Sequence, residues 1–205
     1  MADPTTNRAT HVIDRRSFVA ALGSMPLTFG VIASAASAAA AQETSRAHGL
    51  PVALITGAAS GFGLVSATTL ARSGFHVIAT MRNVDTSNAD AATTLRTLAN
   101  AEALPLDVIE IDVDSDTSVD AGIAEALERT GTIDVLFNNA GINIPGPIEL
   151  SMEAARQNFE TNVFGQLRLL RAVAPVMRAN RSGLIIQLSS GLGRIVMPTS
   201  GMYSA

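Results

Sequence analysis

The sequence contains no cysteine and no lysine, and all 14 of its basic residues are arginine. Without cysteine the chain can form neither a disulfide nor a thiolate metal site, and either redox compartment stays open. The three histidines, His11, His48 and His76, lie far apart and lack the spacing of zinc ligands, so we predict no metal site. The formal net charge of −4 argues against nucleic-acid binding through a broad basic surface.

Charge is also missing from Ser17 to Ala41, directly after an arginine pair. This run ends in four alanines before Gln42, which is typical of a small-residue cleavage signal. Residues 14–19 resemble a twin-arginine export signal, although neither a Ser/Thr before the arginines nor a basic residue at Ala20 is present. We therefore expect residues 1–41 to be a twin-arginine-type signal segment read by export machinery, which places the folded protein in the periplasm or outside the cell.

Two alternatives for the N-terminus stay open. The uncharged run is long enough to span a bilayer, so it could anchor the chain in a membrane. Gly23, Pro26 and Gly30 weaken it as a spanning helix. A misassigned start would instead leave a cytoplasmic protein. The polar, small residues 42–50 are typical of a linker.

After the linker, short apolar runs alternate with segments of helical periodicity. A chain of 205 residues that is 47% hydrophobic can form one domain with a sizeable core. Because strands separated by helices form parallel sheets through right-handed crossovers, we predict an α/β domain over 51–205, a doubly wound parallel sheet with helices on both faces. The predicted strands are 52–55, 75–80, 108–113, 133–137 and 184–188. The predicted helices are 64–73, about 91–103, 115–129 and 151–178, the last with a kink or early end at Pro175.

A glycine-rich loop, Thr56–Gly63, joins the first strand to the first helix. Unpaired N–H groups and the positive dipole end of such a helix favour a phosphate, and glycines let the backbone approach it closely. A glycine turn without a ligand is the alternative. The candidate cofactor-binding residues here are Gly57, Ser60, Gly61, Phe62 and Gly63.

The end of the second strand selects the dinucleotide. An acid there would bind a ribose 2′-hydroxyl, whereas an arginine accommodates a 2′-phosphate. Met81, Arg82 and Asn83 follow the strand, and the nearest acid is Asp85. Because guanidinium suits phosphate, Arg82 favours NADP, with NAD possible if Arg82 is only a solvated surface residue.

Five features occur in one order: the loop 56–63, Asn138–Gly141, Asn162, Ser189–Ser190 and Tyr203. Together they resemble the short-chain dehydrogenase/reductase family, classical type, whose domain is a Rossmann-type fold. The resemblance implies that Tyr203 is the general acid/base, that Ser190 holds the substrate oxygen, and that Asn162 belongs to a proton relay. Asn158, four positions earlier, matches less well than Asn162.

The same resemblance implies further cofactor contacts. Asp112 and Val113 stand at the end of the third strand, where the family contacts adenine, although Asp112 could equally cap a loop. Asn139, Ala140 and Gly141 follow the fourth strand and would line the cofactor. Asn138 could serve only as a structural partner of backbone groups.

The family motif ends as Tyr-x-x-x-Lys, and its lysine would fall two positions after Ala205. The resemblance therefore implies a C-terminally truncated chain, with a sheet incomplete at its C-terminal end. We expect this chain as written to lack useful activity, and a completed chain to form a homo-oligomer.

The predicted function is hydride transfer between NADP(H) and an alcohol or carbonyl compound. Residues of two loops hint at an apolar substrate: Ile142, Ile144, Leu192, Ile195, Val196 and Met197. A non-catalytic nucleotide-binding or interaction protein on the same fold is the alternative. A sugar-nucleotide epimerase or dehydratase of the extended branch is disfavoured by the glycine spacing.

Overall fold

The computed structural model describes residues 49–145, 152–195 and 197–204. The expected signal segment 1–41, linker residues 42–48 and Val196 lie outside the described residues, as do His11 and His48. Within the described ranges, none of the helices combines the length and the apolarity that crossing a bilayer requires.

Five parallel strands form one sheet in the order β3-β2-β1-β4-β5. They are β1 (Val52–Ile55), β2 (His76–Met81), β3 (Leu106–Glu110), β4 (Val135–Asn138) and β5 (Leu184–Gln187). Since every neighbouring pair is parallel and a helix lies between consecutive strands, the predicted doubly wound α/β fold is confirmed.

Four long helical segments connect these strands. They are α1 (Gly61–Arg72), α2 (Ala89–Glu102), α3 (Asp116–Thr130) and, between β4 and β5, α4 (Met152–Phe159) continued by a π-helical turn (Glu160–Gly165) and α5 (Gln166–Ala179). A 3₁₀ turn (Gly191–Gly193) and the short helix α6 (Gly201–Ser204) follow β5.

The two faces of the sheet bury separate cores because successive strand side chains point to opposite sides. Ala53 and Ile55 of β1 belong to the core that includes Leu70 of α1 and Leu95 of α2. Leu54, next to both, belongs to the opposite core with residues of α3 and α5. The helices therefore cover both faces, as the alternating sequence pattern predicted.

The third strand ends earlier than predicted, at Glu110 instead of Val113. It lies at the edge of the described sheet and pairs only with β2, whose last residue Met81 stands opposite Glu110. Because the partner strand stops there, residues 111–113 form a loop. This correction places Asp112 and Val113 past the edge of the sheet.

The predicted helix over 151–178 is interrupted, but not at Pro175. The interruption is the π-helical turn at Glu160–Gly165, and α5 runs on through Pro175 to Ala179. The prediction of an early end at Pro175 was therefore wrong. Leu169, Val173 and Met177 form a buried stripe at helical spacing, and their burial against the sheet supports the helix through the missing proline N–H.

The strand order reverses between β1 and β4, since the chain builds outward from β1 to β3 and then returns to the other side of β1. A crevice opens at the carboxyl ends of parallel strands where the order reverses, and ligands of such sheets bind there. The loops that follow β1 and β4 are therefore the place to look for a site.

Candidate active site

A cavity of about 750 Å³ lies at the carboxyl ends of the strands. Loops after all five strands line it: Gly57 after β1, Arg82 after β2, Asp112 after β3, Asn139 after β4 and Ser190 after β5. Its volume is in the range of small-molecule and cofactor sites. The topology alone brings these five loops to one edge, because parallel strands end on the same side.

Thr56 anchors the glycine loop to the loop after β4. Its buried hydroxyl accepts hydrogen bonds from the backbone N–H groups of Asn139 at 3.0 Å and Ala140 at 2.9 Å. The Asn139 side chain donates in return to the carbonyl of Thr56 at 2.8 Å and of Gly57 at 3.1 Å. Asn139 thus holds the two loops together, a role that the sequence analysis did not assign to it.

Two of the loop glycines are required by packing. A Cβ on Gly57 would approach the Ala140 Cα to 2.9 Å, and a Cβ on Gly63 would approach the Asn139 side-chain nitrogen to 2.6 Å and collide with the Gly57 carbonyl oxygen. Gly57 and Gly61 also have positive φ, which favours glycine. Gly61 and Gly63 do not line the cavity, so their part in the site is to shape the loop.

The N-terminus of α1 has neither a capping side chain nor an acidic residue to balance the positive end of the helix dipole. Its N-cap residue, Ser60, makes no side-chain cap hydrogen bond, and no acidic residue occupies the first turn. By contrast, α3 has the capping hydroxyl of Ser115 and an acid at Asp116. Ser60 and Phe62 line the cavity. A phosphate fits this end of the helix because it would supply the missing negative charge and hydrogen-bond acceptors.

Arg82 is exposed at the mouth of the cavity, in a turn that begins after β2. Asn83 adopts a left-handed conformation with φ of 54°, and its carbonyl accepts from the N–H groups of Thr86 and Asn88. The Asn88 side chain donates to the Arg82 carbonyl at 2.7 Å. Asn88 also lines the cavity, although the sequence offered no motif that would single it out.

Asp112 closes the loop after β3, which was one of its two predicted roles. Its carboxylate accepts from the backbone N–H of Asp114 at 3.1 Å, and Ser118 accepts from the Asp112 N–H at 2.9 Å. Asp112 and Val113 also line the cavity, so an adenine contact is compatible with this loop geometry.

Asp114 is a cavity residue that the sequence reasoning missed. Its Oδ2 atom accepts from Thr161 and from Gln157, both at 2.9 Å, which ties the loop after β3 to α4 and the π-helical turn. Its Oδ1 atom is buried without a hydrogen-bond partner among the described residues. The only signal in the sequence was a second acid two positions after Asp112.

Asn162 lies in the π-helical turn and binds the loop after β4 with both ends of its amide. Its Oδ1 accepts from the Ile142 N–H and its Nδ2 donates to the Ile142 carbonyl, both at 2.8 Å. One amide hydrogen and one lone pair remain for other partners. Asn158 is nearly fully buried and does not line the cavity, which favours Asn162 as the site residue.

Ser190 and Tyr203 both line the cavity, although a 3₁₀ turn and a loop separate them in sequence. The Ser190 hydroxyl oxygen accepts from the Leu192 N–H at 3.1 Å. This bond does not use the hydroxyl hydrogen of Ser190, which remains available to another partner. Tyr203 sits in α6 and is partly exposed.

Asn138 takes a structural position. Its side chain donates to the Gln166 carbonyl at 3.3 Å and so connects β4 to the start of α5. Its Oδ1 is buried without a hydrogen-bond partner within the described ranges.

The cavity collects most of the predicted site. Ten predicted residues besides Ser190 and Tyr203 line it: Gly57, Ser60, Phe62, Arg82, Asp112, Val113, Asn139, Ala140, Gly141 and Asn162. Of the apolar residues proposed to face the substrate, Ile142 lines the cavity, whereas Ile144, Leu192, Ile195 and Met197 do not. Ile195 and Met197 are exposed.

Comparison with known proteins agrees with this geometry. The model of the short chain dehydrogenase family matches residues 51–205. The chain therefore belongs to the short-chain dehydrogenase/reductase family, whose members are NAD(P)-dependent oxidoreductases on a Rossmann fold.

Individual relatives share roughly a third or more of the aligned residues. Retinol dehydrogenase 8 from Bos taurus is 41% identical over 160 residues, 74% of this chain and 48% of that protein. A 3-ketodihydrosphingosine reductase from Bacteroides thetaiotaomicron is 35% identical over 153 residues, 74% of this chain and 51% of that protein. The chain thus spans about half the length of these curated relatives.

Solved structures show the same fold. A gluconate 5-dehydrogenase from Burkholderia cenocepacia, in complex with NADP and tartrate, has a TM-score of 0.68 at 33% identity, covering 75% of this chain and 59% of that one. An actinorhodin polyketide ketoreductase with NADPH has a TM-score of 0.70 at 31% identity, covering 76% and 59%.

Proposed function

We propose that this chain carries the nucleotide-binding and catalytic part of an oxidoreductase that transfers hydride between NADP(H) and an alcohol or carbonyl compound. The observation that carries the proposal is the single cavity shared by the glycine loop, Arg82, Asn162, Ser190 and Tyr203. Two similar structures with NADP or NADPH bound support the choice of cofactor.

The residues of the cavity fit a dinucleotide. The N-terminus of α1 would hold the pyrophosphate, because neither a side-chain cap nor an acid satisfies it. Arg82, exposed at the mouth of the cavity, would pair with a 2′-phosphate. When bound, the nicotinamide supplies or accepts the hydride.

Tyr203 and Ser190 would act on the substrate oxygen. In the direction of reduction, the Tyr203 hydroxyl donates a proton to that oxygen as hydride reaches the carbon, and in oxidation it accepts the proton. The hydrogen bond from the Leu192 N–H uses the Ser190 oxygen and leaves its hydroxyl hydrogen available. That hydrogen can bind the same substrate oxygen and stabilise the charge that develops there.

Asn162 would support the relay of that proton. Its two bonds to Ile142 fix the π-helical turn against the loop after β4, and the remaining amide hydrogen and lone pair can bind water. Its place on the cavity wall supports this role.

An apolar substrate fits the proposal. Ile142 and Leu188 line the cavity, and Ile195 and Met197 are exposed on the segment between Ser190 and Tyr203. Two relatives are named for apolar compounds, retinol and 3-ketodihydrosphingosine. We therefore propose an alcohol or ketone on an apolar body.

The test is catalysis by a chain extended past Ala205 so that a lysine follows two positions later. We expect NADPH oxidation with apolar ketones, and a loss of about 100-fold or more in kcat for Tyr203→Phe, because proton transfer by a positioned group contributes about 100- to 10,000-fold. Unchanged NADPH affinity in Tyr203→Phe is the control. Full turnover by Tyr203→Phe would refute the assignment.

The chain of 205 residues itself provides a second comparison. We expect weak nucleotide binding without useful turnover, because no lysine is present to place an ammonium beside the Tyr203 hydroxyl. Ordinary turnover by this chain would contradict the proposed need for the lysine. Nucleotide binding without turnover in the extended chain as well would favour the non-catalytic alternative.

A further inference from the structure

Several hydrogen bonds fix the exposed turn between β2 and α2. Asn83 has a positive φ, and its carbonyl accepts from two N–H groups, those of Thr86 at 3.1 Å and Asn88 at 3.0 Å. The Val84 N–H donates to the Glu110 carboxylate at 3.2 Å. These bonds fix the backbone on the C-terminal side of Arg82.

The side chain of Asn88 supplies the bond that reaches Arg82 itself. Asn88 is the N-cap residue of α2, a position at which asparagine ordinarily accepts from the first turn of its own helix. Here it makes no such cap bond. Its Nδ2 instead donates to the Arg82 carbonyl at 2.7 Å, across the turn.

This arrangement concerns the cavity, since Arg82 and Asn88 both line it. The sheet holds Met81, which is buried and pairs with Glu110, so the backbone is fixed on the N-terminal side of Arg82. Asn88 fixes the carbonyl of Arg82 on the C-terminal side. The backbone of Arg82 is therefore fixed on both sides, and only its side chain remains to be ordered.

We propose that Asn88 is a positioning residue that sets the preference for a 2′-phosphorylated adenosine, acting through the backbone of Arg82. The inference rests on the proposed NADP(H) function and names the residue that orients its arginine. An arginine on a flexible turn would lose more conformational entropy when it pairs with a phosphate. The bond from Asn88 to the Arg82 carbonyl therefore increases the affinity for the 2′-phosphate specifically.

The experiment measures binding of two adenosine fragments to the 205-residue chain by calorimetry. The probes are adenosine 2′,5′-bisphosphate and adenosine 5′-monophosphate, which differ only in the 2′-phosphate. The variants are Asn88→Ala, Arg82→Ala and the double variant. Asn100→Ala and Arg96→Ala serve as matched controls, because both residues are exposed on α2, the helix that Asn88 begins, and neither lines the cavity.

We expect Asn88→Ala to weaken binding of the bisphosphate about 3- to 10-fold, the range of one net hydrogen bond, and to leave binding of the monophosphate unchanged. Arg82→Ala should weaken the bisphosphate about 10- to 100-fold, as for a hydrogen bond to a charged group. In the Arg82→Ala background, Asn88→Ala should cause no further loss, because its effect passes through Arg82.

Three results would overturn the inference: equal weakening of both probes in Asn88→Ala, no weakening of either, or additive losses in the double variant. If Asn88→Ala unfolds at a lower temperature than the parent, Asn88→Ser, which is still a favoured N-cap residue but lacks the amide that donates to the Arg82 carbonyl, provides the same comparison. A parent that binds both probes equally defeats the proposed cofactor as well. If Arg82→Ala abolishes the preference for the bisphosphate over the monophosphate but Asn88→Ala keeps it, this inference fails while the proposed cofactor stands.

Discussion

At the scale of single residues, the site depends on close contacts between two loops. Thr56, Gly57 and Gly63 belong to the glycine loop, and each contacts Asn139 or Ala140 of the loop after β4. The glycine motif therefore does two things. It leaves the N-terminus of α1 open to a phosphate, and it lets two loops meet where a Cβ would not fit.

Gly63→Ala should destabilise the fold and disturb the cofactor loop. Its Cβ would meet the backbone of Gly57 and the side chain of Asn139, neither of which can withdraw without breaking hydrogen bonds. We expect a loss of about 1–3 kcal/mol in the free energy of unfolding, the range for overpacking. Urea unfolding measures it. Gly49→Ala, where a Cβ meets nothing within 4 Å, is the control. Equal stability of both variants would contradict the packing role of Gly63.

Arg82→Asp should move the cofactor preference from NADPH toward NADH. The carboxylate repels a 2′-phosphate and accepts from a 2′-hydroxyl. We expect the ratio of NADPH to NADH affinity to fall by about 100-fold or more, since one favourable charged contact is lost and a repulsive one is added. Fluorescence titration with the two cofactors measures the ratio. If the ratio is the same in variant and parent, Arg82 does not bind the phosphate.

At the scale of elements, the π-helical turn is the unusual part of the fold, and Arg168 connects it to neighbouring segments. Arg168 donates to the Val113 carbonyl at 3.2 Å and to Asp116 at 3.1 Å, and it pairs with Glu160 at 2.5 Å. Burial acts to lower the pKa of Arg168, but its bonds to Glu160 and Asp116 outweigh burial and raise that pKa above its ordinary value. One guanidinium thus joins α5, the π-helical turn, α3 and the loop after β3.

Arg168→Ala should lower the free energy of unfolding by about 1–2 kcal/mol. The Arg168 side chain is only 18% exposed, but Asp116 is 71% exposed, so that pair contributes little and most of the loss comes from Val113 and Glu160. Chemical denaturation measures the loss. Arg171→Ala, on the exposed side of the same helix, should change little. Arg168→Lys should restore only part of the stability, because one ammonium cannot serve three separated acceptors in the same geometry. Full restoration would contradict the bridging role.

At the scale of the whole molecule, the β5 edge of the described sheet is less buried than the centre of the sheet. The central strands β1 and β4 are buried throughout, whereas β5 is nowhere fully buried and its Ile185 is 39% exposed. Within the described ranges, β5 pairs only with β4. An apolar strand with one unpaired side is prone to pair with another chain.

The chain of 205 residues should therefore self-associate, and Ile185→Lys should reduce this, because an edge lysine opposes pairing between strands. Sedimentation velocity at several protein concentrations measures the association. Leu167→Lys, which also replaces an exposed apolar residue but on α5, is the comparison. If Leu167→Lys gives a monomer and Ile185→Lys does not, the association involves the helices and not the strand edge.

Much of this protein was determined by its sequence alone. The alternation of apolar runs with helical segments determined a doubly wound parallel sheet, because crossovers between parallel strands have one favourable hand. The glycine loop, Arg82, Asn162, Ser190 and Tyr203 were found as motifs, since each stands at a fixed place relative to a strand or another motif residue. That topology already placed the loops after the strands at one edge of the sheet, while the catalytic and binding roles of these residues stay predictions.

Only the tertiary structure decided the rest. Asp114 and Arg168 act through partners 43 and 55 residues away in sequence, so no local pattern marks them. Asn88 binds the carbonyl of Arg82 only 6 residues away, but that bond depends on the conformation of the turn between them. The end of β3 depends on where its partner β2 stops. The π-helical turn is held by the side chains of Asp114 and Arg168 and by the backbone of Ile142. Pro175 stays inside a helix because burial of Leu169, Val173 and Met177 outweighs one missing hydrogen bond. Apart from the Asn88 bond, these outcomes depend on contacts between residues distant in sequence, whose free energies exceed the local preferences that a sequence pattern reports.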